Sequence, residues 1–421
     1  MNERVKRRKL FLVTDGFPVR KFSEGTFVIP ELRALINDYD VSIIACCNSS
    51  EGVVQEFQEE FGDRVKVYHY QPPQGQYLQE ARMFLRALLT DFFRKEVVKI
   101  VKNHAGIIKK LLWTFLFFYW ANDFCQWVEN SDLEIEDDAI CYTFWHQYYL
   151  LAFVMLKKKV SKFKIVSRIH GYDLFEDQSP MKWQPFKLFM DENTDKTIFI
   201  SEQGKQYYEE QYFAKENARN HIVCRLGVMP QNMQICTKRD KFLLVSCSNL
   251  YPLKNIDMII LALSLLEDAE IEWVHFGQGE EKEKLERLAK ELLEPMKNIK
   301  YEFKGFVTNE QILNYYGESR PSCFITTSLT EGSPVSMQEA LACGIPLIGT
   351  DVGGIYEMIE GNGYLLSKEP TPEETADAIC KIYNLSETEH YAMSKKSLEI
   401  WSEKFDREKN NKQFLSILSQ L

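Results

Sequence analysis

The strongest constraint on the fold is an alternation that runs through the second half of the chain. Short apolar runs at Phe242–Ser246, Ile271–Phe276, Ile299–Phe303, Ser322–Thr326 and Pro346–Gly349 are separated by amphipathic helical patterns such as Ile256–Leu266, Glu280–Leu293 and Pro334–Cys343. Strands that are apolar throughout and spaced by helices belong to a parallel sheet covered on both faces. The first half repeats the rhythm with longer insertions, at Lys9–Val13, Val41–Cys46, Arg64–Tyr68, Ala139–Thr143, Ile165–Ile169 and Thr197–Ile200. The pattern predicts an α/β protein of two consecutive doubly wound units, joined near Met229–Asp240 where Pro, Asn, Gln and Lys gather. A chain of 421 residues is long enough for two such domains.

Composition narrows the function classes. Hydrophobic residues make up 45% and charged residues 27%, which excludes a disordered, collagenous or coiled-coil chain. With 51 Lys and Arg against 61 Asp and Glu the net charge is −10, so the basic footprint of a nucleic-acid protein is missing on average and no nucleic-acid partner is expected. The ten cysteines include the adjacent pair Cys46 and Cys47 but no C-x-x-C pair and no zinc-ligand spacing. Several fall in apolar runs, as small buried hydrophobes do, and a reducing cytoplasm is the expected compartment. The basic start, Arg4 to Lys9, precedes an apolar run that ends at Asp15. Leu10–Val13 is too short for a signal peptide and reads as a first buried strand.

One segment breaks the average. Between Ala81 and Lys110 stand eight basic residues (Arg82, Arg86, Arg94, Lys95, Lys99, Lys102, Lys109, Lys110) and two acidic ones (Asp91, Glu96), a local charge of 8 − 2 = +6. The uncharged run Leu111–Ala121, LLWTFLFFYWA, follows within the insertion 79–130 and is one of the densest aromatic clusters in the sequence. As a helix it is too short to span a bilayer, which needs about 20 residues. A basic helix leading into a Trp- and Phe-rich one fits an anionic membrane surface at 81–121, making the protein peripheral at the inner face of the membrane. The alternatives are a core helix under a solvated basic face and contact with another protein.

The densest chemical signal is Thr330-Glu331-Gly332-Ser333-Pro334-Val335-Ser336-Met337-Gln338-Glu339, continuing to Gly344-Ile345-Pro346. It follows a strand, and open α/β sheets bind ligands at the carboxyl ends of their strands. Gly332 allows close backbone approach. Ser333 as a helix cap with Pro334 at the first helical position would present free N–H groups to an anion. Ser336 with Glu339 also fits a capping box, which leaves the helix start open by one turn. Glu331 and Glu339 are about 80° apart on an ideal helix at ~3.6 residues per turn. Two carboxylates beside an anion-binding helix start suit a ligand rich in hydroxyls and carrying phosphate, and a nucleotide-sugar has both.

On these residues the chain resembles the retaining glycosyltransferases of family four (glycosyl transferases group 1). The match consists of Glu331-x7-Glu339, Ala340-Leu-Ala-Cys-Gly-Ile-Pro346, Asp351-Val-Gly-Gly354, Cys247-Ser-Asn-Leu-Tyr-Pro-Leu-Lys254, Val274-His-Phe-Gly277-Gln-Gly279 and Phe303-Lys-Gly305-Phe306. The first half is similar more loosely, at Gly16-Phe17-Pro18, Glu24-Gly25-Thr26 and Ile169-His170-Gly171. The resemblance implies the GT-B fold, two Rossmann-like domains facing a central cleft. Residues 1–228 would bind the acceptor, 229–400 the nucleotide-sugar, and a final helix at 401–421, within Ile400–Leu421, would cross back to the first domain. It further implies transfer of a sugar, with retention, to a sugar or lipid-linked glycan in cell-surface polysaccharide or glycoconjugate synthesis, with no cofactor and no metal. Glu339 would hold the ribose diol and Glu331 the donor sugar. The backbone of Gly332, Ser333, Pro334, Val335 and Ser336 would bind sugar and phosphate. Lys254 would neutralise the leaving diphosphate, and Gly25 would let its loop approach it. Asn249 stands where the family has an Arg, so only a hydrogen bond remains at that point of the phosphate site. That departure keeps open a non-catalytic partner subunit, beside a related sugar-nucleotide epimerase or phosphorylase.

Among the histidines, His170 at a strand's carboxyl end is the catalytic candidate, and His146 in Trp145-His146-Gln147 is a second residue for the acceptor side. His275, inside an apolar strand, is expected to be a satisfied core histidine. Asp38-Tyr39-Asp40 spells D-x-D but is expected in a turn, where Asp is favoured without any metal. Gly277-x-Gly279 lacks the third glycine of a dinucleotide fingerprint, because Lys282 occupies that position.

Overall fold

The computed structural model describes residues 7–19, 24–49, 52–73, 86–102, 106–159, 162–179, 181–212, 219–231 and 241–421. It contains two compact units, the first comprising Met1–Ile200, Gly204–Cys224 and Asn411–Leu421 and the second Ser201–Gln203 and Arg225–Asn410. Most of the expected linker Met229–Asp240, from residue 232 on, and Arg82 of the basic run lie outside the described residues.

The first unit is built on a seven-stranded parallel sheet in the order β3-β2-β1-β4-β5-β6-β7. Its strands are β1 Arg8–Thr14, β2 Tyr39–Cys46, β3 Lys66–Tyr70, β4 Ile140–Thr143, β5 Lys164–Ile169, β6 Lys196–Phe199 and β7 His221–Val223. The order reverses between β1 and β4, which pair in parallel from Leu10 opposite Ile140. Connections leave these two strands toward opposite sides, so their carboxyl ends border a crevice. One face of the sheet packs on Phe93, Phe117, Phe118, Phe124, Tyr149 and Phe186. The other packs on Val28, Leu32, Phe57, Phe414 and Leu418. The helix Gly25–Asp38 runs directly into β2 at Tyr39, so Asp38-Tyr39-Asp40 is not the turn expected from its composition.

For much of the aromatic run the structure supports the core alternative. The run lies in a single helix, Ile107–Asn130, whose Thr114, Phe117, Phe118, Tyr119, Ala121 and Phe124 are buried. These rings interlock with the helix Asp91–Lys102 and with Phe186, as in the Phe93–Phe118 contact at 5.4 Å between centroids. The aromatic run is therefore mainly core. What stays exposed is the start of the long helix, with Ile108 75% and Leu112 59% accessible, together with Leu89, Val98 and Val101. Among the described residues no helix is long and apolar enough to cross a membrane.

The second unit has a six-stranded parallel sheet in the order β10-β9-β8-β11-β12-β13. Its strands are β8 Phe242–Cys247, β9 Ile271–Phe276, β10 Ile299–Gly305, β11 Cys323–Thr326, β12 Leu347–Thr350 and β13 Gly363–Leu366. The order reverses between β8 and β11, and the carboxyl ends of these two strands carry the motif residues. Near the end of the chain, helix Glu387–Ile400 passes into a π-turn, Trp401–Phe405, before a new helix at Arg407–Ser419. The single helix Ile400–Leu421 is thus replaced by two pieces. Asp406 breaks it, pairing in a β-bridge with Val228 and accepting the backbone N–H groups of Glu408 and Lys409 through its carboxylate.

Candidate active site

In the second unit the loop after β11 is pinned from below. The Thr327 hydroxyl donates to the Asn255 carbonyl at 2.8 Å, Leu329 N donates to the Leu253 carbonyl at 2.9 Å, and Thr350 donates to the Ser328 carbonyl at 2.6 Å. These bonds bind the loop to the short turn Pro252–Lys254 and bring the Lys254 ammonium to 2.5 Å from Glu331 Oε1. The Asp351-Val-Gly-Gly stretch supports the same loop. Gly353 is left-handed at φ 56°, and a Cβ there would fall 1.7 Å from the Glu331 carbonyl, while Gly354 N donates to the Gly332 carbonyl at 2.8 Å. Gly277 plays the equivalent part after β9, where a Cβ would meet the Ser248 carbonyl at 1.8 Å. The exposed Asn249 sits in the loop that Gly277 and Gly279 support.

The helix after this loop starts at Val335 and ends at Ala342. Neither expected cap is used. Pro334 itself is the cap residue, extended at φ −65° and ψ 119°, with no side chain closing the helix start. Ser333 lies one residue too early, and its hydroxyl accepts from Gln338 Nε2 at 3.0 Å. Ser336 falls inside the helix. The N–H groups of Val335, Ser336 and Met337 precede the first intrahelical bond, from Gln338 N to the Pro334 carbonyl. Such a start attracts an anion through its donors and its dipole.

Glu339 is buried one turn further on, where its Oε1 accepts from Asn309 Nδ2 at 2.5 Å. Burial pushes its carboxyl up to about 7, against the opposing pull of the Asn309 bond and the Arg407 charge. A buried carboxylate with one donor is under-solvated, and a ligand supplying two hydroxyls would restore it. Asn309 was not legible in the sequence, lying 30 positions away. His275 is the core histidine its strand suggested, with Nδ1 at 2.8 Å from the Ser246 hydroxyl and Nε2 at 3.1 Å from the Ser248 carbonyl.

In the first unit, His170 follows β5 and packs at a tilt against Trp145 and Phe144, with ring centroids 4.3 and 4.9 Å away. Among the described residues neither of its ring nitrogens has a hydrogen-bond partner. Burial, with the Arg168 charge, holds its pKa well below the usual histidine range, so the ring is neutral. His146 is fully buried beneath this edge, with Nδ1 3.0 Å from the Ser167 hydroxyl, and burial lowers its pKa as well. Asp173 ties the two together, accepting the backbone N–H of His170 and of His146 at 2.6 Å each. Lys187, buried and lowered to about 7, donates to the carbonyls of His146 and Asp173. Gly25 opens its helix where a Cβ would lie 2.8 Å from the Phe17 ring. The preceding Glu24 organises the loop after β1, accepting from Asp15 N, Phe17 N and Trp145 Nε1. Sequence reasoning assigned no role to Asp15, Glu24, Asp173 or Lys187. The His170-Gly-Tyr-Asp173 spacing was the one available signal for Asp173.

Residues 230–397 match the family model described as glycosyl transferases group 1. The C-terminal unit belongs to the glycosyl transferases group 1 family. The chain is 27% identical over 230 residues to an uncharacterized glycosyltransferase of Haemophilus influenzae, covering 53% of this chain and 61% of that one. It is 37% identical over 102 residues to the O-antigen biosynthesis glycosyltransferase WbnH of Escherichia coli, covering 24% of this chain and 27% of that one. The chain thus spans less than two thirds of the length of these relatives. Anabaena HepE, solved in complex with UDP and glucose, shares the fold over 99% of this chain and 100% of its own, with a TM-score of 0.65 and 16% identity. Both sheets therefore have the Rossmann-like form of GT-B glycosyltransferases. The group 1 unit holds Lys254, Glu331, Gly332, the uncapped start at Val335 and Glu339 along the carboxyl ends of β8 and β11. Gly25, His146 and His170 lie in the first unit.

Proposed function

We propose that this chain is a retaining glycosyltransferase that moves a hexosyl unit from a nucleotide-sugar, with UDP as the first nucleotide to test, to a glycan or lipid-linked acceptor. The observation that carries this reading is the grouping of Lys254 with Glu331 on the loop that leads to an uncapped helix start and the under-solvated Glu339. In the proposed complex the ribose diol bonds Glu339 and the donor sugar's hydroxyls bond Glu331. The diphosphate takes the Lys254 charge and the N–H groups of Val335 and Ser336. Asn249 adds a neutral hydrogen bond. In the reaction the bond from the anomeric carbon to the phosphate oxygen breaks, and the acceptor oxygen bonds the same face of that carbon. The acceptor's proton passes to the departing diphosphate. Lys254 and the helix start stabilise the charge developing there, a role that requires no metal ion. His170, as a neutral ring, is proposed on the acceptor side. Calorimetry with UDP, GDP and ADP tests the donor half: one should bind, and Glu339→Ala should remove most of the affinity. Unchanged binding in that variant would sink the ribose assignment.

We further propose that the chain works at the cytoplasmic face of an anionic membrane. The exposed Leu89, Val98, Val101, Ile108 and Leu112, with Arg94, Lys95, Lys102 and Lys109 among them, support this reading. Apolar insertion and attraction to anionic lipid then act together.

A further inference from the structure

The first unit contains a cavity of about 340 Å³ at the carboxyl ends of β1, β2 and β3, lined by Asp15, Cys46, Cys47, Asn48, Trp120 and Tyr148. Three features define what it can hold. Its walls include two aromatic rings, Trp120 and Tyr148, with centroids 5.8 Å apart. Its polar groups include Asp15 and Asn48, and among the described residues no Lys or Arg lines it, which favours a neutral ligand. Its volume lies at the small end of the range for ligand sites, roughly 300–1,000 Å³. A small, neutral, hydroxyl-bearing ring with apolar C–H faces fits all three.

Asp15 is the informative wall residue. Its Oδ1 accepts from the Tyr149 hydroxyl at 3.0 Å, and its backbone N–H is held by Glu24. Burial and then the Glu24 charge push its carboxyl up to about 7, so near neutral pH it can both donate and accept. A carboxyl with a raised pKa that lines a cavity is a candidate for ligand contact. The opposite wall comes from a different part of the unit. Trp120 comes from the helix Ile107–Asn130, which belongs to the insertion outside the motifs shared with the group 1 family. One side of that insertion is core, and the Trp120 side turns into this cavity.

We infer that this cavity is a subsite for one neutral hexopyranose ring of the acceptor, stacked on Trp120 and Tyr148 and hydrogen-bonded to Asp15. The inference rests on the glycosyl-transfer reading and assigns the insertion a part in acceptor choice.

The test is saturation-transfer NMR on the full chain with methyl glycosides of glucose, galactose and N-acetylglucosamine, beside calorimetry with UDP. At least one glycoside should bind. Trp120→Ala and Asp15→Asn should each weaken it at least fivefold, Trp120→Phe should retain most of the binding, and UDP affinity should stay within twofold in all three. The near-isosteric Asp15→Asn and the aromatic-conserving Trp120→Phe guard against a folding defect, which thermal melts would reveal. UDP binding with no glycoside binding would overturn the subsite and leave the donor reading intact. Glycoside binding that is equal in wild type, Trp120→Ala and Asp15→Asn would also overturn it. Glycoside binding that depends on Trp120, in a protein that binds no nucleoside diphosphate, would support the subsite and refute the donor reading.

Discussion

The clearest quantitative consequence concerns the proton on Glu339. In the structure its carboxyl is pushed up to about 7, chiefly by burial. A ribose diol donating two hydrogen bonds favours the ionised form, so the bound carboxylate should return toward the ordinary value or below it. Donor binding then releases a proton. With a free-state pKa near 7, roughly one molecule in ten has Glu339 ionised at pH 6 and roughly nine in ten at pH 8, so affinity should rise about tenfold between them and level off above. The sign for stability is opposite. A raised carboxyl pKa stabilises the empty fold below the unfolded value of about 4.5, and that contribution is lost as pH rises through about 7. The assay is calorimetry with a UDP-sugar, whose diphosphate diester does not titrate in this range, in two buffers of different ionisation enthalpy. About half a proton should leave per binding event at pH 7. Glu339→Gln keeps the shape, removes the titration and loses a charge-assisted acceptor, which costs about 1.5–3 kcal/mol. A pH-independent affinity in wild type, or the same slope in Glu339→Gln, would refute this reasoning.

Three further outcomes are expected. Lys254→Ala removes the cation beside Glu331 and should lower donor turnover by about 10²–10³, with a smaller loss in donor binding; equal losses in both would mark Lys254 as a ground-state contact only. Gly277→Ala places a Cβ 1.8 Å from the Ser248 carbonyl at φ 143° and should lower the melting temperature and weaken donor binding, whereas a wild-type melt and affinity would show that this loop yields freely. Replacing Ile108 and Leu112 by Ser, or neutralising Lys99, Lys102, Lys109 and Lys110, should reduce flotation with anionic liposomes. The lysine changes should act less at Lys99 and Lys110, which already lie over the Trp183 ring at 5.3 and 5.0 Å. Recovery unchanged in every variant would assign the segment to ordinary core and surface.

The sheets were legible because parallel strands buried on both faces read as continuous apolar runs, and eleven of the thirteen strands coincide with runs seen in the sequence to within about two residues. The two missed strands, His221–Val223 and Gly363–Leu366, are short edge strands with mixed burial and carry no such run. The donor motifs were readable because loop, helix start and Glu339 are contiguous. The cap was not, because Pro334 in an extended conformation moved the helix start past Ser333. The aromatic run stayed open between core and interface for a related reason. A helix whose rings are buried over much of its circumference has no single apolar stripe, and composition alone does not separate core from interface. The partners of the site residues, Asn309 for Glu339, Glu24 for Asp15 and Lys187 for Asp173, are brought in by tertiary packing from positions that share no local pattern with them.

The central claim, sugar transfer from a nucleotide-sugar, is tested most directly by incubating the protein with UDP-, GDP- and ADP-linked hexoses and following nucleoside diphosphate release together with the anomeric configuration of the product. One donor should be turned over with its configuration retained, and Lys254→Ala should abolish most of that turnover. No release from any donor, with or without added glycan, or a product of inverted configuration, would contradict the account.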